Sequence, residues 1–97
     1  MALTPAQRKY LKAAAHARKP VVQIGNAGVT DAVLKELDRA LERHELLKVR
    51  LPAVERDLRR ALARTLGEGA GAEVVQEIGR IAVLYRRARA PRLVLPA

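Results

Sequence analysis

Gly25-Asn26-Ala27-Gly28 is the segment of this 97-residue chain best suited to hold a ligand. Its two glycines permit positive φ and place no side chain between the backbone and a phosphate. Thr30 follows as a helix cap and Asp31 as a first-turn acid, so the next helix turns its free amides and positive dipole end toward the loop. That arrangement favours an anion. The loop lacks the Gly-Lys-Ser/Thr ending of a nucleotide-triphosphate loop and the third glycine of a dinucleotide fingerprint. The spacing fits a plain tight connection between strand and helix. It also fits a backbone clamp on single-stranded nucleic acid, which is the better match to the rest of the chain.

Catalytic chemistry is poorly supplied. Serine and cysteine are both absent, and the three threonines have no adjacent base. Without cysteine there is no disulfide, zinc thiolate or thiol nucleophile. His16 and His44 stand near helix ends, where they serve terminal carbonyls rather than a metal. The expectation is a protein that is not an enzyme and uses no cofactor, metal or small-molecule substrate.

Charge points to the partner. Nineteen Lys and Arg face ten Asp and Glu, a net charge of +9 that attracts polyanions: RNA, DNA or an anionic membrane. Most of these cations are arginines, whose planar fork holds phosphate bidentately. Residues 1–19 carry Arg8, Lys9, Lys12, Arg18 and Lys19 with no acid. A second basic pole lies in the final hairpin and tail, where Arg86, Arg87 and Arg89 follow the last acid, Glu77. Those three have no evident salt-bridge partners nearby in sequence. Aromatics number only Tyr10 and Tyr85, which excludes a sheet that stacks bases on several rings. Binding then leans on phosphate and shape. No stretch approaches the ~20 apolar residues that span a bilayer, and no signal peptide is apparent, so a cytoplasmic location is expected.

The elements that must position these groups follow from pattern. Thr4 caps a helix to Ala17 with Pro5 at its first position. Pro20 ends it and begins an extended run, Val21 to Ile24. The second helix runs from Thr30 to about His44, with Val33, Leu34, Leu37, Ala40 and Leu41 at helical spacing. Leu47, Val49 and Leu51 alternate with Lys48 and Arg50, a strand with one wet face. A third helix is expected over Ala53 to Leu66, burying Val54, Leu58, Ala61, Leu62 and Thr65. Gly67 to Gly71 reads as a flexible connection. Val74–Ile78 and Ile81–Tyr85 form a hairpin through Gly79-Arg80, a pair suited to a type II′ turn. Leu93-Val94-Leu95 offers a further edge strand. The result is a single domain, 1–97, ending in a short tail at 91–97. It is a two-layer α/β unit of order α-β-α-β-α-β-β, with the first helix unplaced and parallel strands joined by right-handed crossovers.

Several segments together resemble a known family. Ala15-His16, Lys19 to Gly25, Gly28-Val29-Thr30 and His44 to Arg50 are similar to the YhbY-like proteins, bacterial stand-alone versions of the CRM domain. Val75 to Gly79, Val83 to Arg86 and Leu95-Pro96 match the same family's second half. The resemblance implies a fold like the C-terminal domain of translation initiation factor 3, with a four-stranded mixed sheet. It implies RNA binding through the glycine loop and, for bacterial members, association with precursors of the large ribosomal subunit. The Gly/Ala-rich stretch 67–72 departs from the family pattern.

The candidate RNA-binding residues are therefore Gly25, Asn26, Ala27 and Gly28, with Arg8, Lys9, Lys12, Arg18 and Lys19 before the loop. Lys48 and Arg50 on the second strand, and Arg86, Arg87 and Arg89 after the hairpin, complete the set. The partner expected is ribosomal RNA or a large-subunit precursor, making the chain a ribosome-assembly factor. The alternative is an interaction module whose open sheet face, bearing Lys48 and Arg50, binds an acidic protein. Sequence-tolerant DNA binding is a third.

Overall fold

A computed structural model describes residues 2–97. Its elements, in chain order, are α1 (Pro5–Ala15), β1 (Pro20–Gln23), α2 (Asp31–His44), β2 (Leu46–Arg50), α3 (Arg56–Ala70), β3 (Glu73–Ile78) and β4 (Ile81–Tyr85). The four strands form one sheet in the order β1-β2-β4-β3. β1 runs parallel to β2, and β4 lies antiparallel to both its neighbours. β3 is therefore parallel to β2 with β4 inserted between them. Successive crossovers β1-α2-β2 and β2-α3-β3 proceed in one direction, so α2 and α3 share a face.

Strand alternation divides the core in two. Leu47, Val49, Ala82 and Leu84 point toward α2 and α3, where they meet Leu37, Leu41, Ala63 and Leu66. Leu46, Val83 and Tyr85 point the other way and meet Leu11 and Ala15 of α1. The helix that sequence left unplaced thus partly covers the second face. Thr4 and Gln7 fix its start with a reciprocal capping box: the Gln7 amide donates to Thr4 Oγ1 at 3.1 Å, and the Thr4 amide to Gln7 Oε1 at 3.0 Å.

Four expectations are corrected. α3 starts at Arg56 rather than Ala53, because the Glu55 carboxylate caps it by accepting the Leu58 N–H at 2.7 Å. The helix continues through Gly67 and Gly69 to Ala70 and ends on Gly71 at φ 63, so this stretch is not a flexible connection. Its buried positions are Ala63, Leu66 and Gly67, whereas Leu58, Ala61 and Thr65 are exposed. Here glycine serves close packing: a Cβ on Gly67 would lie 3.0 Å from Val74 Cγ2 and 3.1 Å from the Ala72 carbonyl oxygen. Finally, Leu93-Val94-Leu95 adds no strand. Leu93 and Leu95 instead pack against the α1-side core, and Val94 is 84% exposed.

The β3–β4 turn fits the type II′ expectation, with Gly79 at φ 56 and no positive φ at Arg80.

Candidate nucleic-acid interface

The loop 25–28 follows β1 and precedes α2. Its amide at Gly28 donates to the Gly25 carbonyl at 3.1 Å, closing a turn, and Gly28 takes φ 74, which a glycine adopts without strain. Gly25, Asn26 and Ala27 are exposed, and a Cβ on Gly25 would meet open space. Thr30 caps α2 by accepting the Val33 N–H at 3.2 Å. The loop therefore stands at the carboxyl end of a parallel strand and the amino end of a helix, the position where open α/β sheets bind ligands.

One of the expected cations, Arg50, stands beside it, whereas Lys19 lies at the other end of β1. Arg50 pairs in register with Gln23 across β1 and β2, and its carbonyl accepts the Ile24 N–H at 2.8 Å. Lys19 and Arg50 line a shallow depression with Val21 and Gln23. Both side chains are exposed and, among the described residues, make no hydrogen bond or ion pair.

Other expected residues are committed to the fold. Arg8 reaches the bulge in β3, donating to the carbonyls of Val74 at 3.0 Å and Val75 at 3.1 Å. Arg18 donates to the Leu46 carbonyl at 2.6 Å, and Lys48 to the carbonyl of His16 at 3.2 Å. Arg86 has the partners that sequence did not provide: Asp38 Oδ1 at 2.7 Å, Glu42 at 3.5 Å and the Ala70 carbonyl at 2.9 Å. Those acids lie on α2, far away in sequence and adjacent in space. Lys9 and Lys12 are exposed on α1, and Arg87 and Arg89 project after β4. The set thus divides into the loop with Arg50 beside it, the cations Arg8, Arg18, Lys48 and Arg86 committed to the fold, and the other exposed cations Lys9, Lys12, Lys19, Arg87 and Arg89.

The structure also gathers arginines that sequence did not single out. β2 and β3 end, and α3 begins, at the same end of the sheet as the loop. Arg56, Arg59 and Arg60 of α3 line a cleft of about 360 Å³ with Leu51, Glu77 and Gly79. Arg80 joins them, its Nε donating to the Leu51 carbonyl at 3.1 Å. The i, i+3, i+4 spacing of 56, 59 and 60 was the available signal for a shared face.

One buried charge was missed altogether. Glu45 is 1% exposed, has φ 61, and its carboxylate accepts backbone N–H groups from Ala88, Arg92 and Leu93. Burial alone would raise its pKa, but those three donors and the Arg92 charge outweigh it and hold the carboxyl below the ordinary 4.5. Beside it, burial and then the Glu45 charge push the Tyr85 phenol above its usual value, with Arg87 pulling the other way.

His16 and His44 make no side-chain hydrogen bond among the described residues. No group of three or more His, Cys, Asp or Glu there is placed to hold a metal ion, and no described helix is long and apolar enough to cross a membrane.

Known proteins share this pattern. The CRS1 / YhbY (CRM) domain matches residues 3–86. A Pseudomonas aeruginosa protein named "Probable RNA-binding protein PA4753" is 47% identical over 87 residues, covering 90% of this chain and 84% of its own. A Haemophilus influenzae protein named "RNA-binding protein" is 37% identical over 94 residues, covering 97% and 95%. The solution structure of hypothetical protein SAV1595 from Staphylococcus aureus superimposes with a TM-score of 0.86 at 38% identity, covering 98% of this chain and all of that one. The chain belongs to the CRS1/YhbY (CRM) domain family.

Proposed function

We propose that this protein binds RNA through the loop Gly25–Gly28 and the neighbouring Arg50, with Lys19 extending the basic track along β1, and that its target is ribosomal RNA in precursors of the large subunit. The observation that carries the reading is the loop itself: an exposed glycine turn at a helix amino end, beside the unpaired cation Arg50. Backbone amides and a dipole then meet phosphate oxygens while the cations neutralise neighbouring charges. The relatives' RNA-binding names support the ligand class, and the YhbY-like resemblance supports the ribosomal target. Lys9, Lys12, Arg87 and Arg89 add a diffuse field that speeds encounter. No catalytic step is assigned.

Binding to purified large-subunit ribosomal RNA, measured against salt, tests this. With about five phosphates neutralised, log affinity falls with log salt at a slope of roughly −3.5 to −4.5. Gly25→Asp places an anion in the loop where a side chain meets open space. Gly28 is a poorer choice, because its φ of 74 would strain any replacement. Unchanged binding by Gly25→Asp removes the loop from the mechanism, and preference for duplex DNA at matched salt removes RNA as the ligand.

A groove on the α1 side favours a second reading. Lys12, His16 and Lys48 surround Ile78, Ile81 and Val83, with Ile78 58% exposed. An acidic protein segment with apolar side chains would suit it. Sedimentation after ribonuclease treatment separates the two: a partner retained without RNA supports the groove.

A further inference from the structure

The cleft at the start of α3 has a composition that the fold does not need. Arg56 is exposed and makes no hydrogen bond or ion pair among the described residues. Arg59 spends one guanidinium nitrogen on the Val54 carbonyl at 2.8 Å. Arg60 has only a loose pair, its Nε 3.8 Å from Glu77 Oε2. Glu77 is the one acid lining the cleft. Glu55 is occupied as the α3 cap, and Asp57 lies one position round the helix from Arg56. Three guanidinium groups against one carboxylate leave an uncompensated positive cleft, with Arg80 beside it. Such a cluster repels itself until an anion enters.

Position supplies the ligand's identity. The cleft and the glycine loop open at the same end of the sheet, at its two sides. Three strand spacings separate β1 from β3, about 14 Å, a span that a few nucleotides bridge. The first turn of α3 also turns its own amides toward this end.

We propose that this cleft takes a backbone phosphate of the same RNA, held by Arg56 and Arg60, so that the strand continues from the loop across the carboxyl ends of β2 and β3. The proposal rests on the reading of the chain as RNA-binding. Arginine suits the role because two N–H groups can engage one phosphate. Glu77 opposes the phosphate and sets the occupancy.

The test is the salt dependence of binding to large-subunit ribosomal RNA for four proteins: wild type, the double variant Arg56→Gln/Arg60→Gln, Glu77→Gln, and the control Lys35→Gln/Arg39→Gln on exposed α2. The double variant loses about tenfold in affinity, and its slope shrinks by about 0.7 to 0.9, the value of one phosphate. The control removes the same charge and keeps the wild-type slope. Glu77→Gln binds several-fold more tightly, a gain that damage to folding cannot imitate. A double variant indistinguishable from the control, or no gain in Glu77→Gln, overturns the cleft. If Gly25→Asp still weakens binding in that assay, the RNA reading survives the loss of the cleft. If wild type shows no salt-dependent binding, the reading itself fails.

Discussion

The carboxylate of Glu45 accepts the backbone N–H of Leu93 at 3.0 Å, although the two residues lie 48 positions apart. The same carboxylate also accepts from Ala88 and Arg92, so one side chain replaces the ladder that the tail lacks. The Glu45 backbone, at φ 61 and ψ −48, is strained by about 1–3 kcal/mol. Charge-assisted bonds at about 1.5–3 kcal/mol each more than offset it. Glu45→Gln should therefore lower the unfolding free energy by about 2–4 kcal/mol in urea titration, with faster hydrogen exchange at the Leu93 amide. Glu45→Gly relieves the strain yet loses every bond, so it too should be less stable than wild type. Equal stability of the glycine variant would show that the carboxylate bonds contribute no more than the backbone strain they accompany.

Acid titration reads the same residue. The folded-state pKa of Glu45 lies below its ordinary 4.5, so its contribution is fully present above that value. It is lost as pH falls through the depressed folded pKa. Tyr85 has the opposite sign: its raised pKa gives stability that is present below the ordinary 10.0 and lost as pH rises through the folded value. Wild-type stability should form a plateau between these limbs. In Glu45→Gln the acid limb should flatten, and the Tyr85 phenol should titrate at lower pH by ultraviolet absorbance because its charged neighbour is gone. An unchanged acid limb in the variant would assign acid sensitivity to other carboxylates.

Local rules made much of this fold legible. Thr4, Pro5 and Thr30 mark helix starts, and the alternation at 46–51 places Leu47, Val49 and Leu51 on one buried face because period two leaves no latitude. The face read as wet is instead partly covered by α1 and buries Leu46. The loop was equally plain, since glycine spacing is a local signal. What was hidden depends on distant partners. Arg86 looked unpaired because Asp38 and Glu42 meet it only after α2 and β4 dock. Gly67 looked like a loop because its reason for being glycine, the approach of Val74, is tertiary. Arg56 and Arg60 became a candidate site only when β3 brought Glu77 and Gly79 beside them.

The two glycines inside α3 should respond differently to alanine. Each replacement gains up to about 1 kcal/mol of helix propensity. At Gly69 the new Cβ would lie 2.9 Å from Leu34 Cδ2, the far end of a flexible side chain that can rotate away. At Gly67 it meets a branched valine and the Ala72 carbonyl, whose residue is itself tied by Ala72 N–H to the Gly67 carbonyl at 2.8 Å. Gly69→Ala should be neutral or stabilising by up to about 1 kcal/mol. Gly67→Ala should destabilise by about 1–2 kcal/mol through overpacking. Urea midpoints in the reverse order would mean that α3 shifts more easily than its contacts suggest.

Arg86 separates structural from binding arginines. One guanidinium ties α2 to the end of α3 through Asp38 Oδ1 and the carbonyls of Asp38 and Ala70, where the terminal carbonyls of α3 need donors. Lysine cannot reproduce this fork, so Arg86→Lys should cost about 1.5–3 kcal/mol although the charge is kept. Its affinity for ribosomal RNA, measured where it is fully folded, should stay at the wild-type value. Arg50→Lys, on the exposed rim beside the loop, should show the opposite profile: unchanged urea stability and weaker RNA binding, because only the phosphate fork is lost. If Arg86→Lys instead weakens RNA binding at full folding, the Asp38 and Glu42 contacts must open when RNA arrives, and the basic tail belongs to the interface after all.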